Sequence, residues 1–425
     1  MNKYNFDKIE LHLHLDGAFR FSTIWELALR ENVKMPKDTL EEYIEYIRYS
    51  ANCGSVNQYL RMFDAPQLVM QDKENLTRIT YELIEDLYHQ GLSYAEIRFA
   101  PQFHTQKGLS QFDATEAVLE GRKKALDKYP EMRANLIACM MSLGPTSVNE
   151  KENYETIEVC KKFRNDGLVG IDLAGAEGIV PLSDFAPFFD KARDTNLNMT
   201  CHAGDSQHAD TVRDAINFGV TRIGHGHHIY EDENLCKIAR DKRITLEICP
   251  TSNIQCLTEP SYQKHPAKKL FDLGIPVTFN TDNMTLAGTT LDDEYDHCIN
   301  EMGFTRKDII KTNIYAIEAS FADEKTKETI KDNLEKALKV IDTHPYHPLS
   351  FPSPVIGECE YFVSERVSDL LIRPEPGSFI SVTFVEGKGK LNGISFATLD
   401  TFFLPAGKEA TIEADEPVTY IKTFV

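Results

Sequence analysis

His12 and His14 stand two apart in the run Ile9-Glu10-Leu11-His12-Leu13-His14-Leu15-Asp16-Gly17. Side chains alternate along a strand, so His12, His14 and Asp16 share one side and Leu11, Leu13 and Leu15 the other. Two imidazoles at i and i+2 converge on one point, which is half of a metal site. Two ligands alone do not make a site, and a solvated strand face would carry the same pair. Further polar residues close later apolar runs: His202 in His202-Ala203-Gly204-Asp205, His225 in Gly224-His225-Gly226-His227-His228, and Asp282 in Asn280-Thr281-Asp282-Asn283. Three histidines and a carboxylate suit Zn²⁺, with Fe and Co as alternatives. An open position would hold a water whose pKa the metal lowers to about 7. His225 would orient or deprotonate that water, and Asp205 would donate a proton. The chemistry is metal-assisted hydrolysis at a polarised carbon.

Such residues meet only if the chain brings strand ends together. After residue 17, helical patterns cover 21–32, 40–49 and 56–70, where Tyr59, Leu60 and Phe63 form an apolar stripe. A stronger one covers 76–90, with Leu76, Ile79, Leu83, Ile84 and Leu87 at helical spacing and Gly91 as its stop. Strands are then expected at 94–100, 135–141, 169–175, 198–204, 222–226, 244–250 and 276–282, separated by helices. With the first run this gives about eight strands alternating with helices, which implies a parallel sheet and a (β/α)8 TIM barrel with extra helices. A doubly wound open sheet is the runner-up, but no G-x-G-x-x-G opens a helix after any strand. In a barrel the C-terminal strand ends share one face, where active sites sit.

Two helices follow, at 306–319 and 323–341, and then Pro345, Pro348, Pro352 and Pro354 mark a stiff linker. The expected division is a barrel domain over 1–343, a linker over 344–356 and a small β domain over 357–425. In that tail strands are expected at 379–385, 401–404, 411–413 and 418–425, with turns at 387–390 and 405–407.

A net charge of −20 disfavours nucleic acid and anionic membrane surfaces as partners. The nine cysteines include no C-x-x-C pair, so free thiols in a reducing cytosol are expected rather than a disulfide framework. His and Asp interrupt the only apolar run near the N-terminus, so no signal peptide is expected there. No run approaches the roughly 20 apolar residues of a spanning helix. The expected setting is cytoplasmic, with a small molecule as partner.

His12-x-His14-Leu15-Asp16-Gly17-Ala18, His202-Ala203-Gly204, Gly224-His225-Gly226, Cys249-Pro250-Thr251-Ser252-Asn253 and Asn280-Thr281-Asp282 together resemble the adenosine deaminases, a branch of the barrel-type metal amidohydrolases. The resemblance spans about residues 5 to 340. It implies a zinc held by His12, His14, His202 and Asp282, with His225 holding the attacking water. It implies that Asp16 contacts the ribose 5′-hydroxyl, that the Gly175 backbone contacts purine N3, and that Tyr59, Leu60 and Phe63 gate the nucleoside. His14 would thus border the substrate as well as the metal. The tail, through Asp400-Thr401-Phe402-Phe403-Leu404-Pro405-Ala406-Gly407, resembles the cupin-like β-barrel ending some phosphomannose isomerases. No histidine lies beyond His347, so a structural role or homo-oligomer assembly is expected of it rather than a second active site.

Two positions depart from the pattern. Asp205 stands where the family has Glu, the acid that protonates purine N1, and is shorter by roughly 1.3–1.5 Å. Asn283 stands where many relatives have Asp, beside purine N7; its NH₂ donates without first needing a proton. The implied reaction is hydrolysis of adenosine or 2′-deoxyadenosine to the inosine product and ammonia. Asp205 keeps a related aminopurine open: adenine, a modified adenosine or AMP. Asp16 argues against a 5′-phosphate, which a carboxylate repels. A nucleoside-binding protein without catalysis is the non-enzymatic alternative. A cytidine-type zinc deaminase is excluded, since H-x-E with P-C-x-x-C is absent.

Overall fold

The structure is a computed structural model and describes residues 3–340, 355–359, 362–373, 379–414 and 416–424. Two compact units divide the chain, Met1–Leu338 and Lys339–Val425.

The first unit is the expected barrel. Eight parallel strands follow one another in space as in sequence: β1 (Lys8–His14), β2 (Leu92–Phe99), β3 (Arg133–Ser142), β4 (Leu168–Gly175), β5 (Asn198–Ala203), β6 (Arg222–His225), β7 (Thr245–Ile248) and β8 (Val277–Phe279). The ring closes through a bridge between Leu13 and Asp282. His14 N donates to Asp282 O, and Asp282 N donates to His12 O, both at 2.8 Å. Closure therefore fixes three of the site residues against one another.

The helices form where caps and periodicity agree. Asp72 accepts the N–H of Asn75 and opens Lys73–His89, whose Leu76, Ile79, Leu83, Ile84 and Leu87 are buried. Ser110 with Asp113 and Thr290 with Asp293 form capping boxes on Gln111–Lys128 and Leu291–Asn300. The last of these helices was not expected, although its cap is legible.

Three expectations are corrected. Residues 56–70 are not one helix but a helical turn at Val56–Tyr59, a 3-10 turn at Leu60–Phe63 and a helix at Asp64–Val69. Pro66 explains the break: it has no N–H for the Met62 carbonyl, and its ring clashes there. The strand expected over 244–250 stops at Ile248, because Pro250 opens the helix Pro250–Gln255. In the tail, Gly389–Leu391 is a strand rather than part of a turn, and the chain reverses at Asn392 and Gly393.

The second unit has a five-stranded and a four-stranded antiparallel sheet. Its core includes Val382, Phe384, Phe396, Ile412 and Tyr420, with the Phe384 and Phe396 rings stacked. The four linker prolines lie outside the described residues. Among the described residues no helix is long and apolar enough to cross a membrane.

Candidate active site

The barrel brings all four expected ligands to one point. His12 and His14 come from β1, His202 from β5, and Asp282 from just past β8. His14 Nε2 lies 3.3 Å from His202 Nε2 and 3.5 Å from Asp282 Oδ1, and His12 Nε2 lies 3.6 Å from the same oxygen. His225 follows at the end of β6, its ring centroid 4.8 Å from that of His12.

Carboxylates behind the histidines orient them. His12 Nδ1 is 3.0 Å from Glu247 Oε2, and His202 Nδ1 is 3.0 Å from Asp172 Oδ2. Arg98 bridges both carboxylates, at 2.9 Å to Asp172 and 2.7 Å to Glu247, and Arg222 donates to Glu247 at 2.7 Å. Burial pushes Glu247 up, but the two guanidiniums hold it below the usual carboxylate range. The ionised Glu247 places the His12 proton on Nδ1, so the His12 Nε2 lone pair turns inward. His12 Nε2 is buried with no hydrogen-bond partner. A cation resolves that arrangement, and the donors suit one: atoms of His12, His14 and Asp282 all lie within 4.8 Å of one another. His12, His202 and His225 form a second such group, so spacing alone leaves His225 beside the ion as well.

The backbone is strained where it presents these groups. His225 and Asp282 have φ of 60° and 58°, in the left-handed region. Gly224 gives His12 room, since a Cβ there would lie 2.9 Å from His12 Cε1.

A cavity of about 350 Å³ opens over this point, within the size range of small-molecule sites. His14, Asp16, Tyr59, Leu60, Phe63, Gly175, His202, Asp205, His225, Asp282 and Asn283 all line it, and His12 lies behind them, fully buried. Gln67 Nε2 donates to Asp16 at 3.0 Å, and burial raises the Asp16 carboxyl. Gly175 has φ of 109°, and a Cβ there would meet Ser142 O at 2.6 Å, so only glycine lets the backbone line the cavity. Asn283 Oδ1 and Tyr59 Oη are buried without partners.

Asp205 has two donors on one oxygen, Asn253 Nδ2 at 2.8 Å and Thr258 Oγ1 at 3.1 Å. Burial, and then the charges of Glu177 and Asp282, push it up to about 7. The same Asn253 nitrogen lies 3.1 Å from His225 Nδ1. Ser252 Oγ donates to Asp282 Oδ2 at 2.7 Å. Sequence reasoning assigned no role to Asp172, Glu177, Glu247, Ser252, Asn253 or Thr258. Asp172 and Glu247 were findable, since a carboxylate inside an apolar strand needs a buried partner. In the sequence Ser252 and Asn253 stand out only as part of the Cys249-Pro250-Thr251-Ser252-Asn253 run.

The adenosine deaminase family model matches residues 7–337. The chain belongs to the adenosine deaminase family. An adenosine deaminase of Clostridium botulinum (strain Okra / Type B1) is 38% identical over 339 residues, covering 79% of this chain and 99% of the relative. The N6-mAMP deaminase of Arabidopsis superposes with a TM-score of 0.68 at 27% identity, over 78% of this chain and 98% of that one. An adenine deaminase from Arthrobacter aurescens shares the fold, with a TM-score of 0.70 at 24% identity, over 78% of this chain and 98% of that one.

Proposed function

We propose that this chain hydrolyses adenosine and 2′-deoxyadenosine to inosine and deoxyinosine with release of ammonia. The observation that carries the reading is the convergence of His12, His14, His202 and Asp282 on one point, with Asp205 and His225 beside it. A zinc ion held by those four residues supplies, when bound, the polarisation that makes water nucleophilic near neutral pH.

The chain's own groups do the rest. His225, whose Nδ1 faces Asn253, uses Nε2 to hold the water and take its proton as oxygen bonds to purine C6. Asp205, pushed up to about 7, is protonated often enough at neutral pH to donate to N1. Asn283 donates to N7, the Gly175 backbone meets N3, and Asp16 accepts the ribose 5′-hydroxyl. Tyr59, Leu60 and Phe63 exclude bulk water from the base. One water is consumed: N1 keeps the proton from Asp205, the remaining hydroxyl proton returns to Asp205, the C6–N6 bond breaks, and the amine leaves as ammonia with the proton that His225 took. Purified protein loaded with zinc should convert adenosine to inosine, and Asp205→Asn should lower kcat by about 10²-fold or more. Intact adenosine after incubation with zinc-loaded protein would overturn the reading.

The short acid supports a second reading, in which a different aminopurine seats its N1 closer to Asp205. The Arabidopsis and Arthrobacter relatives bear the names of two such activities. A panel of adenosine, adenine, AMP and N6-methyl-AMP ranks the two, and preference for a 5′-phosphate would overturn the assignment of Asp16. The β tail is proposed to serve assembly; light scattering that gives a monomer would remove that role.

A further inference from the structure

Behind His225 lies another group of ligating side chains. β6 runs into the 3-10 turn His227–Glu231, and the loop after Pro250–Gln255 carries Glu259. His227 is fully buried, and neither ring nitrogen has a hydrogen-bond partner. His228 Nδ1 and Glu259 Oε1 are also buried without partners. A neutral imidazole has one donor and one acceptor, so no tautomer of His227 by itself relieves this. His227 Nε2 lies 3.7 Å from Glu259 Oε1, too far for a hydrogen bond. Donor atoms of His227, His228 and Glu259 nevertheless all fall within 4.8 Å of one another.

We propose that His227, His228 and Glu259 form a second divalent-metal site, separate from the catalytic one, for an ion of the zinc or cobalt class. Two imidazoles and a carboxylate are a donor set such ions take. Bonds of about 2.1 Å put tetrahedral donors about 3.4 Å apart, so the His227 to Glu259 separation needs to close by only a few tenths of an ångström. An ion there also supplies the positive charge that a buried, ionised Glu259 requires. Access runs past His228, which is half-buried, its ring centroid 6.0 Å from that of the exposed His208. Bound there, the ion ties the turn after β6 to the loop after Pro250–Gln255, the segments next to His225 and Asn253. His265 completes the connection, with its ring 5.4 Å from that of His227 and its Nε2 3.2 Å from Asn253 Oδ1.

The test is metal stoichiometry on the full chain. Protein is stripped with a chelator, reloaded with Zn²⁺ against a weak competing chelator, and its metal content measured by plasma emission. Two ions per chain are expected for the wild type and one for His227→Gln. Glu259→Gln, nearly isosteric, should weaken the second ion at least tenfold, and Co²⁺ titration should lose one of two visible-absorption steps. A count of one in the wild type overturns the proposal, since a trapped water would then be satisfying these atoms. A count of two that survives both substitutions overturns it as well, because the second ion then sits elsewhere. The wild-type count decides even if a variant fails to fold.

Discussion

The carboxylate of Glu177 accepts the backbone N–H of Asp205 at 3.1 Å. It also accepts the N–H groups of Gly204, Ser206 and Gln207, at 2.7, 2.7 and 3.1 Å. Successive N–H groups pointing inward make a nest for an anion, and here a side chain fills it. Glu177 thereby sets where the segment after β5 holds Asp205. Its charge also helps keep the Asp205 carboxyl protonated, second only to burial.

Glu177→Gln should affect both roles. The amide keeps one acceptor oxygen and loses the charge, so charge-assisted bonds of roughly 1.5–3 kcal/mol are weakened. We expect kcat to fall about 10–100-fold with a smaller change in KM. The sign of the pH effect follows from the charge. In the proposed role Asp205 acts in its protonated form, so activity should fall as pH rises through its pKa. Removing a neighbouring negative charge lowers that pKa, and the alkaline limb of the profile should move to lower pH. Rate profiles for both proteins check this, and an alkaline limb that stays in place would refute the role.

Ser252→Ala removes the hydroxyl that holds Asp282 Oδ2 at 2.7 Å. Asp282 is already in a strained conformation, so an unheld carboxylate has somewhere to relax. We expect zinc affinity to drop about 10–100-fold, with folding stability lower by only about 1 kcal/mol. Competition with a chromophoric chelator reads the first and thermal unfolding of the metal-free protein the second. Unchanged affinity would show that the strand closure alone positions Asp282.

The order of helices and strands was legible because barrel strands are apolar runs and their helices carry a 3.6-residue pattern. The clustering of His12, His202 and Asp282 was legible because they sit at the ends of such runs. Which residues they pair with was not. Glu177 meets Asp205 across 28 positions, and Glu247 meets His12 across 235, and no local pattern encodes a partner that distant. Residues 56–70 misled for a different reason. The stripe of Tyr59, Leu60 and Phe63 is real and faces the cavity, but Pro66 forbids the continuous helix that the stripe suggested.

Gly175→Ala tests whether the backbone itself is part of the site. The added Cβ would lie 2.6 Å from Ser142 O at a φ of 109°, so the segment must move. A loss of about 1–3 kcal/mol in stability is expected, with KM for adenosine raised more than kcat is lowered. Equal KM values would place the purine away from this strand end.

Acid stability should depend on His104, far along the chain from the ligands. Its Nδ1 donates to Met70 O at 2.9 Å, its Nε2 is buried without a partner, and burial pushes its pKa down to about 4. The unfolded chain takes up a proton near its ordinary value of 6.5, whereas the folded chain resists until pH 4. Between those values the unfolded state binds more protons, so stability falls as pH falls. The slope is about 1.4 kcal/mol per pH unit, on the order of 3 kcal/mol across the window. His104→Gln removes the titrating group. It should lower stability at neutral pH, through lost packing against Phe99, yet flatten the decline toward acid. Urea unfolding at several pH values between about 4 and 7 measures both slopes. If the two proteins lose stability in parallel, His104 is not the group that titrates.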